Sequence, residues 1–333
     1  MRCCIQNRQH LTCTLNDNMI FKFKQPSQDA KEAMAETSLN PDKKYSDKVC
    51  EKIRKMTSHE NVVLTNNGNA AIMLAISTVQ DSILVPDQGG WNVFKQISKS
   101  LNKKIINLKT EQGLVETSEL EKYKNTSLII TSFAGYSGEQ NLKEISEVCK
   151  ENDIVLIEDA SGGLGDGCRN VGNGKYSDII VASTGSPKII NVGSGGILSA
   201  AREEVIDDTR TLQKITKTNE IIASGIYSEL KEIDKKLKLT FNANKYLKNN
   251  LENVIHADLR GLNTIIKDEN PKDLSWNLKS NLKIDKSGFI TKCPNYNRIK
   301  EKAVAIEIKN LDYKCLKKEY LDYIIENVNR FRN

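Results

Sequence analysis

The chain predicts an α/β fold: a three-layer α/β/α large domain around a mainly parallel sheet, followed by a small α+β C-terminal domain. Three observations lead there. Between residues 45 and 200, short and nearly continuous apolar runs alternate with helical patterns, as expected of parallel strands covered on both faces by helices. After residue 200 the composition shifts to long, charged, helical stretches and then to a mixture of short strands and helix. At 333 residues there is length for one large domain and a smaller one.

Taken in order, residues 1–18 carry three cysteines (Cys3, Cys4, Cys13) and little periodicity. They read as a disordered extension without function, because Met19 opens "MIFKFKQPS" as a more natural start. The large domain is expected over 19–240. "SDKVCEKIRKM" (46–56) puts Val49, Ile53 and Met56 on one helical face. "NVVLT" (61–65) reads as a strand, and "NNGNAAIMLAIS" behind it as a glycine-led apolar helix. "SILVP" (82–86) is a buried strand and "NVFKQISKSL" an amphipathic helix. "KIINL" (104–108), "SLIITSF" (127–133) and "DIVLIED" (153–159) are further strands, with the helix "LKEISEVCKEN" between the last two. "DIIVAS" (178–183) and "GGILSA" (195–200) complete the sheet. Residues 202–255 are helical, and the small domain over 241–333 holds the strand "AVAIEI" (303–308) and a last helix, "KEYLDYIIENVNRF".

Bulk properties narrow the class. With 38% hydrophobic and 28% charged residues the composition is that of a soluble globular protein. No apolar run approaches the ~20 residues of a membrane span, and no basic segment with an apolar core opens the chain; a cytoplasmic protein is expected. The net charge of +6 is spread among scattered lysines, so charge does not point to nucleic acid. Of the eight cysteines no two are spaced CxxC, and the three histidines lie far from them except His10; no metal site is expected, and the thiols read as reduced.

Ligands of open α/β sheets bind outside the carboxyl ends of the strands, and four features gather there. Asn67-Gly68-Asn69-Ala70 forms a strand-to-helix turn. It suits an anion such as phosphate, because glycine admits close approach and a helix N-terminus offers free amides; the plainer reading is helix capping by Asn67 or Asn69. Trp91 in "GGWNVF" is a packing residue or a plate over a planar ring. Asp159, with Glu158, ends a buried strand, and caps the next turn or holds a proton on a heteroaromatic nitrogen. Lys188, among small residues and ahead of Gly193, Gly195 and Gly196, is a surface lysine or an imine-forming amine.

Their order is what a pyridoxal-phosphate enzyme of the aspartate-aminotransferase fold requires. Lys188 forms an imine with the cofactor aldehyde and is displaced by the amino substrate. Asp159 keeps the pyridine nitrogen protonated, so the ring takes up the electrons released at Cα, and the freed Lys188 moves the proton.

The chain resembles the DegT–DnrJ group of sugar aminotransferases. Glu158-Asp159-Ala160-Ser161 is similar to that group's EDAA strand end, Ser177-Asp178 to its Gly-Asp pair, Ser183 to the serine five residues before its lysine, and Lys188 with Gly193-Ser194-Gly195-Gly196 to its K-x4-G-x-G-G. "NGNAA" (67–71) is similar to its SGTAA phosphate turn, and "TNEIIASGIYSELKEID" (218–234) loosely to the helix after the lysine. The resemblance covers roughly residues 45–240. It implies pyridoxal 5′-phosphate as cofactor, with phosphate on Gly68, Asn69 and Ser183, Trp91 stacked on the ring, Asp159 on its nitrogen and Lys188 as the covalent lysine. Tyr136 and Ser137, in "SFAGYSGEQ", and Arg298, ahead of a terminal-domain strand, are candidates for the substrate side, Arg298 for a carboxylate. Departures are Gly162 where the group often carries Gln, Ser194 in place of an acid, and a shorter C-terminal part.

The implied activity is transfer of an amino group from an amino acid to a keto acceptor, a sugar in the leading case. The implied assembly is a homodimer with its sites at the interface. The rival on the same fold and cofactor is elimination or sulfur and selenium transfer, as in cysteine desulfurases or tRNA-dependent cysteine and selenocysteine synthases. Cys168, in a Gly-rich loop, is the residue that would serve it. A third reading, a non-catalytic relative, leaves Asp159 and Lys188 without a purpose.

Overall fold

The computed structural model describes residues 19–332 except positions 41 and 169, and the extension expected at 1–18 lies outside them. Seven strands form the main sheet: β1 (Asn61–Thr65), β2 (Ser82–Pro86), β3 (Lys104–Leu108), β4 (Thr126–Thr131), β7 (Ile154–Asp159), β8 (Ile179–Ser183) and β9 (Gly196–Ala200). A two-residue hairpin pairs β5 (Phe133–Ala134) with β6 (Gly138–Glu139) between them in sequence. The order across the sheet is β1-β9-β8-β7-β4-β2-β3. Every pairing from β3 to β8 is parallel, and only β9 runs against its neighbours β8 and β1.

The apolar runs are continuous because both faces are buried. On β4, Leu128 and Ile130 enter one core cluster while Ile129 enters the other; on β7, Leu156 and Ile157 divide the same way. This is the period of two that a strand imposes. Each such side chain stabilises the sheet by about 1.5–3 kcal/mol relative to exposure.

The helix Gln28–Leu39 had no counterpart in the sequence patterns; its Ser27 cap accepts from the Ala30 amide, and its few apolar residues pack on the helix Glu220–Glu229. Long charged helices do occupy the stretch after 200, the longest being Ile233–Asn250. That helix spans the expected 240/241 boundary: Ile233 and Leu237 join the large core, Ala243 and Leu247 the small one.

The small domain is a four-stranded antiparallel sheet of β10 (Val254–Ile255), β11 (Thr264–Lys267), β12 (Ile290–Cys293) and β13 (Ala303–Ile306), in the order β10-β11-β13-β12. The helix Pro271–Asn281 covers β12 and β13, and Lys318–Arg332 packs on that helix and on Ile233–Asn250. Residues 21–23, expected in the large domain, pack here instead. Phe21 is fully buried against Phe289, with ring centroids 5.2 Å apart, and the alternation Phe21-Lys22-Phe23 bridges to Ile284 and Leu311 as an extended segment does.

A compact junction ties the domains together. The Lys248 ammonium donates to the carbonyls of Ser137, His256 and Leu259 at 2.7, 2.6 and 2.8 Å. The Ser137 hydroxyl and His256 Nδ1 lie 2.7 Å apart. Burial, and then the Lys248 charge, lowers the His256 pKa from 6.5 to about 4. A histidine whose folded value lies below its unfolded one favours folding when neutral, so stability is complete above pH 6.5 and falls as the pH drops toward 4. The loss should reach at most roughly 3 kcal/mol. Urea midpoints at pH 7 and pH 5 should therefore separate in the wild type and converge in His256→Gln; an equal separation in both would locate the acid sensitivity elsewhere.

Candidate active site

The carboxyl end of the sheet builds a cup from three strands. After β1, Asn66 and Asn67 lead into the helix Gly68–Ser77, and the Asn67 side chain caps it by accepting from the Ala70 amide at 2.9 Å. The reversed direction of β9 brings its first residues to this end, where the Gly195 amide donates to the Asn66 carbonyl at 2.9 Å. Ser183, the last residue of β8, faces Gly68 so closely that a Cβ on Gly68 would stand 2.5 Å from the Ser183 Cβ. The glycine is required by that approach. Asn69 does not cap the helix; its side-chain Oδ1 accepts from Trp91 Nε1 at 3.1 Å.

Alternation along β7 gives its two terminal acids opposite tasks. Glu158 points into the protein and is 1% exposed. Its Oε1 accepts from the Ser132 hydroxyl and the Gly172 amide, both at 2.7 Å, and its Oε2 from the Ser177 hydroxyl at 2.9 Å. Burial outweighs these donors and raises its pKa. Asp159 turns toward the cup. Its Oδ1 accepts from the Ser161 amide and hydroxyl at 3.0 and 2.5 Å, which leaves Oδ2 without a protein partner among the described residues. The Ser161 hydroxyl in turn accepts from the Ser183 amide at 2.9 Å, linking Asp159 to the cup.

Lys188 closes the pocket. Gly68, Asn69, Trp91, Asp159, Ser183 and Lys188 all line one narrow cavity, so the structure brings together the six residues that sequence assigns to a cofactor. Lys188 Nζ donates to the Tyr136 hydroxyl at 2.7 Å and lies 5.8 Å from the centre of the Trp91 ring. Burial favours the neutral amine, but the Tyr136 oxygen and the Asp159 charge outweigh it, and the pKa of Lys188 is raised. A lowered value is usual for an imine-forming lysine; here the Tyr136 hydroxyl and the Asp159 charge hold the ammonium form.

Beyond Lys188 the cavity widens into a cleft of about 390 Å³ between the domains, bordered by Tyr136, Arg298, Lys309, Thr291 and Asn295. Tyr136 holds a left-handed backbone, φ 64°, and its carbonyl accepts from the Leu262 and Asn263 amides at 2.7 and 2.9 Å. Arg298 reaches the cleft but is already paired: Nε and Nη2 donate to Glu307 at 2.7 and 2.8 Å, and Nη1 to the Asn297 carbonyl at 2.6 Å. Ser137 is not brought to the cleft. It is fully buried with its hydroxyl on His256, so its position corrects the substrate role expected of it. Cys168 lines a different cavity, of about 680 Å³, with Phe241, Lys248 and Arg260, and borders neither space next to Lys188.

Sequence reasoning did not single out Ser161, Glu307 or Lys309. A signal existed for Glu307, an acid inside the otherwise apolar run "AVAIEI"; Lys309 reads as one more surface lysine.

Comparison with known proteins gives the site its context. Residues 234–329 match the MJ1341 family C-terminal domain. A dTDP-4-dehydro-2,3,6-trideoxy-D-glucose 4-aminotransferase of Saccharopolyspora spinosa is 23% identical over 161 residues, 46% of this chain and 41% of that protein; the alignment thus spans less than half of the relative. Two solved structures share the fold over nearly the whole chain. Helicobacter pylori PseC, an aminotransferase involved in the biosynthesis of pseudoaminic acid, superposes with a TM-score of 0.75 at 12% identity, covering 94% of this chain and 99% of its own. The putative sugar aminotransferase Spr1654 from Streptococcus pneumoniae, in its PMP form, gives 0.76 at 13% identity, covering 95% and 99%. Residues 24–233, well over half of the chain, match the family profile that includes the pocket just described, and the protein belongs to the DegT/DnrJ/EryC1/StrS aminotransferase family.

Proposed function

We propose that this chain is a pyridoxal-phosphate-dependent aminotransferase that moves an amino group from an amino acid to a keto acceptor, a keto sugar being the leading class. The observation that carries the proposal is the convergence of Lys188 and the free Oδ2 of Asp159 on one pocket that ends in the Gly68–Ser183 cup. The donor set fits the cofactor. An open helix N-terminus beside a serine suits the phosphate, a carboxylate with one unpaired oxygen suits a protonated ring nitrogen, and Trp91 offers a flat apolar face. Gly68 has no side chain to keep Ser183 from closing on the helix N-terminus.

When bound, pyridoxal phosphate supplies an electron sink for the bond broken at Cα. The protein's residues do the rest. Asp159, fixed by Ser161, would hold the proton on the ring nitrogen. Lys188 would hold the cofactor, and its amine is the base placed to carry a proton from Cα. Tyr136, hydrogen-bonded to Lys188 Nζ, keeps that amine oriented over the pocket. Arg298 and Tyr136 border the cleft in which the acceptor would lie.

Sulfur transfer has less support, because Cys168 borders a separate cavity. The proposal includes a cytoplasmic homodimer. The described cysteines are all free thiols, in keeping with a reducing compartment, and no helix among the described residues is long and apolar enough to cross a membrane. Ile215 is 72% exposed beside Thr216, whose carbonyl accepts from the Asn66 amide at the cup. A partner chain covering Ile215 would therefore border the site.

Three outcomes follow. Borohydride reduction and peptide mapping should find the pyridoxyl group on Lys188; a label only on another lysine would remove it from this role. Asp159→Asn should fold and bind cofactor yet slow Cα–H cleavage by ~10²–10⁴, the scale of one well-placed polar group; turnover at the wild-type rate would contradict the role given to Asp159. Light scattering should give the mass of two chains, and a monomer at micromolar concentration would end the dimer proposal.

A further inference from the structure

The cleft contains a buried cation that the chemistry above does not use. Lys309 is 6% exposed and borders the cleft, with its ammonium 4.6 Å from the centre of the Tyr136 ring. Lys188 Nζ lies 5.2 Å and the Arg298 guanidinium 5.3 Å from the same centre, so three cationic side chains surround one ring. Asp159 faces Lys188, and the buried carboxylate between Arg298 and Lys309 is Glu307, which is already engaged. It accepts two hydrogen bonds from Arg298 and a further one from Asn263 Nδ2. Lys309 reaches it only at 3.7 Å, and its one hydrogen bond, at 2.6 Å, goes to the neutral side-chain oxygen of Asn310.

A buried ammonium without its own counter-charge costs free energy unless an anion arrives or the proton leaves. Burial holds the Lys309 pKa well below its usual value, with Arg298, Lys188 and Lys24 adding to that effect and Glu307 opposing it. The open side of Lys309 is the cleft, which Asn295 also borders, while the Thr291 side chain there is hydrogen-bonded to Glu307. An ammonium beside a neutral amide matches a monoanionic carboxylate.

We propose that Lys309 is the cleft's carboxylate anchor: it receives the acid group of the amino or keto acid substrate, while Arg298, held by Glu307, acts as a positioning residue. The assignment rests on the aminotransferase reading and names the group through which its acid substrate is recognised. The Tyr136 ring between Lys309 and Lys188 would then set the separation between the anchored carboxylate and the reacting carbon.

Succinate and acetate carry carboxylates but neither an amino nor a keto group, so their binding can be followed by calorimetry on the holoenzyme without turnover. Lys309→Met preserves length and burial, and it leaves Glu307 paired with Arg298. The expected result is binding of one or both anions to the wild type, weakened roughly tenfold or more in Lys309→Met, as for the loss of a charge-assisted hydrogen bond. Lys309→Arg should restore affinity to within about threefold, since it keeps the charge. Inorganic phosphate, titrated in parallel onto cofactor-free protein to report on the cup, should be unaffected by the substitution. The proposal is overturned if Lys309→Met binds the carboxylates as the wild type does, if the wild type binds neither, or if Lys309→Arg is as weak as Lys309→Met. Absence of a cofactor absorbance band would sink the aminotransferase reading by a separate measurement and leave the calorimetric comparison to decide the anchor.

Discussion

Tyr136 is the point on which the two domains and the pocket meet. Its backbone sits in the left-handed region, which costs an ordinary residue about 1–2 kcal/mol. The return is visible in its three parts. The carbonyl accepts the Leu262 and Asn263 amides of the small domain, the hydroxyl holds Lys188, and the ring faces three cations. Gly135 beside it lies under the Arg298 backbone, where a Cβ would come within 2.9 Å of the carbonyl oxygen. One strained residue thus couples the placement of the lysine to the docking of the terminal domain.

The two adjacent acids at the end of β7 separate structure from chemistry within one peptide unit. Glu158 gathers Ser132, Ser177 and the Gly172 amide, fixing the loop that follows the strand. Asp159 is then free to present an oxygen to the pocket. Neither acid could replace the other, because the pleat sends them to opposite faces. Ser161 completes the arrangement by joining Asp159 to the last residue of β8.

Much of this was legible in the sequence. Parallel strands buried on both faces write themselves as unbroken apolar runs, and "SILVP" and "KIINL" coincide with β2 and β3. The pocket was legible for a related reason: Gly68, Asp159, Ser183 and Lys188 all follow or end strands, so local pattern and topology agree on where they point. The small domain was harder to read. β12 contains Lys292 and shows no clear alternation, and the place of Phe21 is set by Phe289, far away in the chain. Lys309 was invisible because burial of a lysine is decided by tertiary neighbours. Ser137 misled, since its position beside Tyr136 suggested a shared task while the turn sends its hydroxyl to His256.

The placement of β9 has a consequence for the birth of the protein. β1 leaves the ribosome early, yet among the described residues the strand it pairs with is β9, with Asn61 opposite Ala200. Until residue 200 has been synthesised, β1 lacks its full pairing partner, whereas β2, β3 and β4 can pair soon after they emerge. Pairing across so long a separation is slow, because the loop must close before any contact rewards it. The cup, which needs β1, β8 and β9 together, is accordingly among the last features to form. A nascent chain halted before Gly195 would hold Lys188 and Asp159 without the finished cup, which ties the pocket to completion of the large domain.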